Sequence, residues 1–181
     1  MKKTVLLTLF VVATLAASAQ EKNTSQSYIE KFKDNAIAIM HQSGIPASII
    51  LGIAMHESGC GNSTIATKLN NQFGMKGSGT NVYYKGKKKV TTPYKQYESV
   101  LDSFDDFARV ISEKKKFAGL TEQLQFADYT AWVKGIEKRG YASSKTWGKQ
   151  VMALISKYNL DAFDSKPDST KFDIAPKNDQ Q

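Results

Sequence analysis

Residues 48–61, SIILGIAMHESGCG, constrain the fold more than any other stretch of the chain. The apolar run SIILGIAM is followed by a carboxylate at Glu57 and then stops at Gly59 and Gly61. Pro46 has the fixed φ of a helix start and the glycines act as breakers, so the spacing predicts a helix over 46–58. Taking an unpaired carboxylate out of water is expensive, and apolar helices exclude such groups unless something compensates. Ile49, Ile53 and Glu57 recur four apart and share one face, so the acid extends a hydrophobic stripe at the helix's C-terminal end. Burial and the negative end of the helix dipole both favour the protonated form there, the state a general acid needs near neutrality. The glycines after it let a substrate approach closely. The plain alternative is a Glu paired with a lysine, or one exposed at a helix end.

The other periodicities describe a mainly helical chain. Tyr28, Phe32, Ala36, Ile39 and Met40 recur at helical spacing over 27–42, with Gly44 just past the end. Asn62 or Ser63 is placed to cap a short helix running to about Leu69. Residues 70–79 are turn-rich, and VYYKGKKKVTTPYKQY (82–97) predicts a hairpin about a Lys-Gly turn. Ser99 and Asp102 open a helix striped by Leu101, Phe104, Phe107, Ala108 and Ile111. Asp128 precedes another, striped by Trp132, Val133 and Ile136 and ended by Gly140. The last carries Trp147, Val151, Leu154, Ile155 and Tyr158. With 181 residues, 41% of them hydrophobic, the chain can bury one good core but hardly two. The expected class is mainly α (α+β), a single domain over 27–160 with a small hairpin. A loose leader over 20–26 precedes it, and a polar, disordered tail over 161–181 follows.

The first nineteen residues differ from the rest. Two lysines, a short apolar region and the small residues Ala17, Ser18 and Ala19 make the pattern of a cleaved secretory signal. The apolar region falls short of the roughly 20 residues a membrane span needs. No cysteine follows the cleavage site, so no lipid anchor is expected there, and the chain reads as exported, periplasmic or extracellular. The formal charge is +8, two of those charges being Lys2 and Lys3 of the leader. Export argues against nucleic acid as a partner and makes an anionic envelope polymer the more natural one. Cys60 is the single cysteine, so no internal disulfide forms and the fold must hold by packing. Neither His41 nor His56 offers Cys60 the pattern of a catalytic partner. No metal or cofactor is expected, and the chain is expected to act as a monomer.

Four blocks carry a likeness. Glu57-Ser58-Gly59 with Gly61 is followed about ten residues on by NNQFGMKG (70–77). Farther on come Tyr97-Glu98-Ser99 with Asp102-Ser103-Phe104, and then Gly140-Tyr141-Ala142. In this order they resemble the glucosaminidase family of peptidoglycan hydrolases, family 73 of the glycoside hydrolases, over nearly the whole domain. The resemblance implies a lysozyme-like fold with a groove between a helical lobe and a small β-lobe. It implies cleavage of the β-1,4 bond on the reducing side of N-acetylglucosamine in the glycan of peptidoglycan. Glu57 would be the general acid, Ser58, Asn71, Phe73 and Lys76 would lie beside it, and Tyr141 would face the sugar.

One departure stands out. Glycosidases generally need a second group, a base or a nucleophile. Many relatives carry an acid in the hairpin, yet residues 58–97 hold no Asp or Glu, and the next carboxylate is Glu98. Three solutions stay open: Glu98 supplies the group, the sugar's N-acetyl group attacks its own anomeric carbon, or the enzyme is a lytic transglycosylase with Glu57 as sole acid and base. A non-catalytic glycan-binding module is the reading from a different class, but a binder has no use for an acid on an apolar stripe.

Overall fold

The computed structural model describes residues 22–124 and 127–165. In chain order the elements are α1 (Ser25–Ser43), α2 (Ala47–Ser58), α3 (Thr64–Leu69), β1 (Lys76–Lys85), β2 (Lys88–Tyr94) and α4 (Val100–Glu113). A 3-10 turn (Lys115–Phe117), α5 (Leu120–Gln123), α6 (Tyr129–Lys138), α7 (Trp147–Lys157) and a second 3-10 turn (Leu160–Phe163) complete the order. The predicted signal over 1–19 lies outside the described residues, as do 166–181 of the predicted tail.

α2 is the axis of the fold. Every residue from Ala47 to Met55 is buried, which is how a helix apolar on all sides must sit. α1, α6, α7 and the last 3-10 turn pack around it. Gly52 sets the approach of α7: a Cβ there would fall 2.7 Å from Ile155 Cγ1. Pro46 stands just before the helix, not inside it, and offers no side-chain cap. The cap comes instead from Asp164, whose Oδ1 accepts from Ser48 N at 2.8 Å and Oδ2 from Ser48 Oγ at 2.6 Å. Burial pushes the Asp164 carboxyl above the ordinary carboxylate range, with the Ser48 bonds opposing.

Both predicted domain edges shift. Ser25 and Gln26 of the leader are the first turn of α1, capped by Thr24, whose Oγ1 accepts from Ser27 N while its N–H reaches Ser27 Oγ. Residues 161–164 of the tail are ordered because Leu160 is buried and Asp164 holds the start of α2. Within the domain, Ser63 caps α3, and Ser99 with Asp102 forms a capping box on α4. Leu101, placed on the buried stripe of α4, is 39% exposed; Val110 is buried. Residues 114–124, where the sequence predicts no element, form the first 3-10 turn and α5.

The hairpin is the β-lobe. β1 and β2 pair antiparallel with Val82 opposite Thr91, Tyr83 opposite Val90 and Lys85 opposite Lys88. The pairing is interrupted between Lys76 and Asn81, a bulge that lets β1 begin at Lys76, inside the turn-rich stretch. Asp106 on α4 holds the hairpin's exit: Lys95 Nζ and Tyr97 Oη each donate to its Oδ2 at 2.7 Å, and Arg109 takes Oδ1. Burial alone would raise the Asp106 carboxyl, but these donors outweigh it and hold it down to about 2. Asn71 fastens the hairpin's entry, its Nδ2 donating to Met75 O at 2.9 Å and Lys95 O at 2.8 Å.

Candidate active site

Glu57 is the last acidic residue before the break at Gly59, whose φ of +57° suits glycine and ends α2 in the left-handed region. The carboxylate emerges half-buried into a groove of about 500 Å³ between the helical lobe and the base of the hairpin. Phe73, Gly74, Met75 and Lys76 line it from the hairpin side, and Lys114, Lys116 and Phe117 from the connection after α4. His56, Tyr141, Ser143, Ser144 and Trp147 complete the main part of the wall. Among the described residues that line the groove, Glu57 is the one carboxylate.

A single donor among the described residues orients it. Trp147 Nε1 donates to Glu57 Oε1 at 2.7 Å, across 90 residues of chain. The indole is 2% exposed and fixed by Tyr141, whose ring lies 5.4 Å away, and by the edge of His56 at 6.5 Å. Tyr141 Oη donates in turn to Phe73 O at 3.1 Å, tying the helical lobe to the glycine loop. Burial first, and then the Glu57 charge, push the Tyr141 phenol well above its ordinary value, so it remains a neutral donor. Glu57 Oε2 accepts no hydrogen bond among the described residues, and it faces Gly74, where an added Cβ would come within 3.5 Å. With φ at +61°, Gly74 favours glycine on conformational grounds as well. One carboxylate oxygen is therefore anchored, and the other is open to carry a proton into the groove.

The predicted site residues divide. Glu57, Lys76 and Tyr141 meet in the groove. Ser58 does not reach it: buried at 0% exposure, its Oγ donates to Ala54 O and accepts from Gly61 N, bracing the turn after α2. Asn71 is 1% exposed and spent on fastening the hairpin's entry. Phe73 borders the groove but is a core side chain, stacked on Phe107 at 4.3 Å and edge-on to Phe104 at 4.9 Å. Glu98 is exposed and outside the groove lining. Trp147, Lys114 and Lys116 join the site without a signal in the sequence; the spacing of Trp147 marks only a core position of the last helix.

Comparison with known proteins identifies the family and the fold. The model of the family described as mannosyl-glycoprotein endo-beta-N-acetylglucosaminidase matches residues 33–160. The chain belongs to the glucosaminidase family. The exo-glucosaminidase LytG of Bacillus subtilis is 28% identical to this family member over 91% of the chain and 65% of its own length. An autolysin of Enterococcus faecalis is 29% identical over 84% of the chain and 22% of its own length. The chain thus spans less than two thirds of these relatives. The glycoside hydrolase domain of Salmonella typhimurium FlgJ superposes with a TM-score of 0.61 at 20% identity, over 77% of this chain and 91% of that one. The lysozyme-like fold, mainly helical with a two-stranded lobe, is the one the resemblance implied.

Proposed function

We propose that this glucosaminidase-family chain is an exported peptidoglycan hydrolase. It cleaves the β-1,4 bond after N-acetylglucosamine, with Glu57 as the general acid. The observation that carries the reading is the Glu57–Trp147 bond at 2.7 Å on the floor of a groove that holds no other carboxylate among the described residues. With Oε1 fixed by the indole, Oε2 delivers a proton to the glycosidic oxygen as the bond to the anomeric carbon breaks. The leading apolar segment with its small-residue site supports export. Among the described residues no helix is long and apolar enough to cross a membrane.

The lone carboxylate bears on the step after the glycosidic bond breaks. A second catalytic carboxyl would stand about 5–9.5 Å from the first, with the spacing setting the stereochemistry. Among the described groove residues no acid occupies that role, and Glu98 lies elsewhere. This favours a route in which Glu57 acts first as acid and then as base. Either the substrate's N-acetyl oxygen assists hydrolysis, or an internal sugar hydroxyl attacks, as in a lytic transglycosylase.

Digestion of purified sacculi tests both points. Glu57→Gln should cut turnover by about 10²–10⁴-fold with an unchanged circular dichroism spectrum. Mass spectrometry of the new ends should show reducing N-acetylglucosamine for the hydrolase. An anhydro-sugar end would assign the transglycosylase, and a Gln variant with near-normal turnover would remove Glu57 from the chemistry.

A further inference from the structure

Lys76, Lys114 and Lys116 line the groove, and none of them is paired with a carboxylate among the described residues. Elsewhere on the molecule Lys33, Lys95 and Arg109 are paired, with Glu30, with Asp106, and with Asp106 and Glu113. Two of the groove lysines rest instead on neutral groups. Lys76 Nζ lies 5.9 Å from the centre of the Tyr94 ring, and Lys116 Nζ lies 4.5 Å from that of Phe117 and donates to Gly140 O at 3.3 Å. A groove holding three ammonium groups and one carboxylate is cationic, and its walls concentrate that field on whatever lies inside. A neutral polysaccharide gives such a field nothing to act on.

We infer that Lys76, Lys114 and Lys116 form a carboxylate-binding rim that selects glycan strands bearing acidic substituents over neutral ones. This deepens the proposed function and rests on it. Peptidoglycan offers the required carboxylate from two sources: the acidic groups of its stem peptides, or the lactyl group of muramic acid once the peptide is removed. Both share one chemistry, an anionic oxygen pair held beside the sugar chain, which an ammonium binds as a point charge. The pairs are solvent-accessible, so each contributes modestly and all weaken with salt.

Affinity measurements with soluble strands of equal length decide it. Three ligands are titrated calorimetrically into the full chain carrying Glu57→Gln, which prevents turnover. They are peptide-bearing strands, peptide-free strands with lactyl carboxylates, and neutral N-acetylglucosamine oligomers. The expected result is about tenfold tighter binding of at least one acidic ligand than of the neutral oligomer at low ionic strength. That margin should collapse at high salt and shrink severalfold when Lys114→Gln and Lys116→Gln are added. Preference for the first ligand assigns the stem peptide, and preference for the second assigns the lactyl group. Equal affinity for all three, or a preference indifferent to salt, overturns the inference. The salt series needs only unaltered lysines, so poor folding of the added variants leaves the test intact. If the chain with native Glu57 cleaves no strand while the charge preference persists, the proposed activity fails and the rim stands.

Discussion

The indole N–H of Trp147 is the one donor that reaches Glu57 among the described residues, and Trp147→Phe removes it while keeping an aromatic body in a buried position. A hydrogen bond to a charged group is worth about 1.5–3 kcal/mol, so kcat on sacculi should fall about tenfold to a hundredfold. Turnover near that of the native chain would show that the carboxylate is positioned without the indole. Glu98→Gln should cost less than about tenfold, under ~1.4 kcal/mol of barrier, since Glu98 is exposed away from the groove. A loss as deep as that of Glu57→Gln, read from the same turnover assay, would make the two a catalytic pair. At this scale Glu57 is legible in the sequence because a charge on an apolar stripe is visible from spacing alone. Ser58 and Asn71 are not, because motif residues that brace a turn look like those that touch a ligand. Trp147 is hidden for another reason: its partner is 90 residues away, and a tryptophan on a helix stripe satisfies the core equally well.

Elements are legible wherever their ends are local. Ser63, Ser99 and Asp128 cap their helices through bonds within three residues, so the signal sits beside its effect, whereas Thr24 caps α1 at a start two residues before the one that the sequence predicts. The start of the first strand is not, because Lys76 belongs to it only through pairing with Tyr94. The connection over 114–124, whose Lys114, Lys116 and Phe117 wall the groove, escapes notice because its turns are too short to establish an apolar period. Gly52→Ala places a methyl against Ile155 where α2 and α7 meet, and should destabilise by about 1–3 kcal/mol in urea unfolding. It should also lower activity, because α7 carries Trp147. A variant as stable as the native chain would show that α7 can withdraw at no cost. The Asp106 anchor has a definite pH signature. Its carboxyl is held down to about 2 from an ordinary 3.8. The stability it contributes is therefore complete above pH 3.8 and is lost as pH falls toward 2. The stability gap between the native chain and Asp106→Asn should be constant from neutrality to about pH 4 and close below it. A gap that persists unchanged down to about pH 2 would exclude a charged anchor.

At the scale of the whole molecule, a segment late in the chain secures its most buried helix. Truncation after Phe163 removes Asp164 and leaves the buried N–H and hydroxyl of Ser48 without their partner. That should cost about 1–3 kcal/mol and lower the melting temperature by several degrees, whereas truncation after residue 165 keeps the cap and should not. Equal melting of the two truncations would deny the cap its role. The same long reach governs the acid. A ribosome releases Glu57 well before Trp147, so a growing chain holds the carboxylate long before it holds the indole that orients it. The indole reaches Glu57 only when α7 docks on α2, late in the synthesis of the domain. On the function proposed above, unfinished or proteolysed chains ending before Trp147 would carry the acid without the donor that orients it.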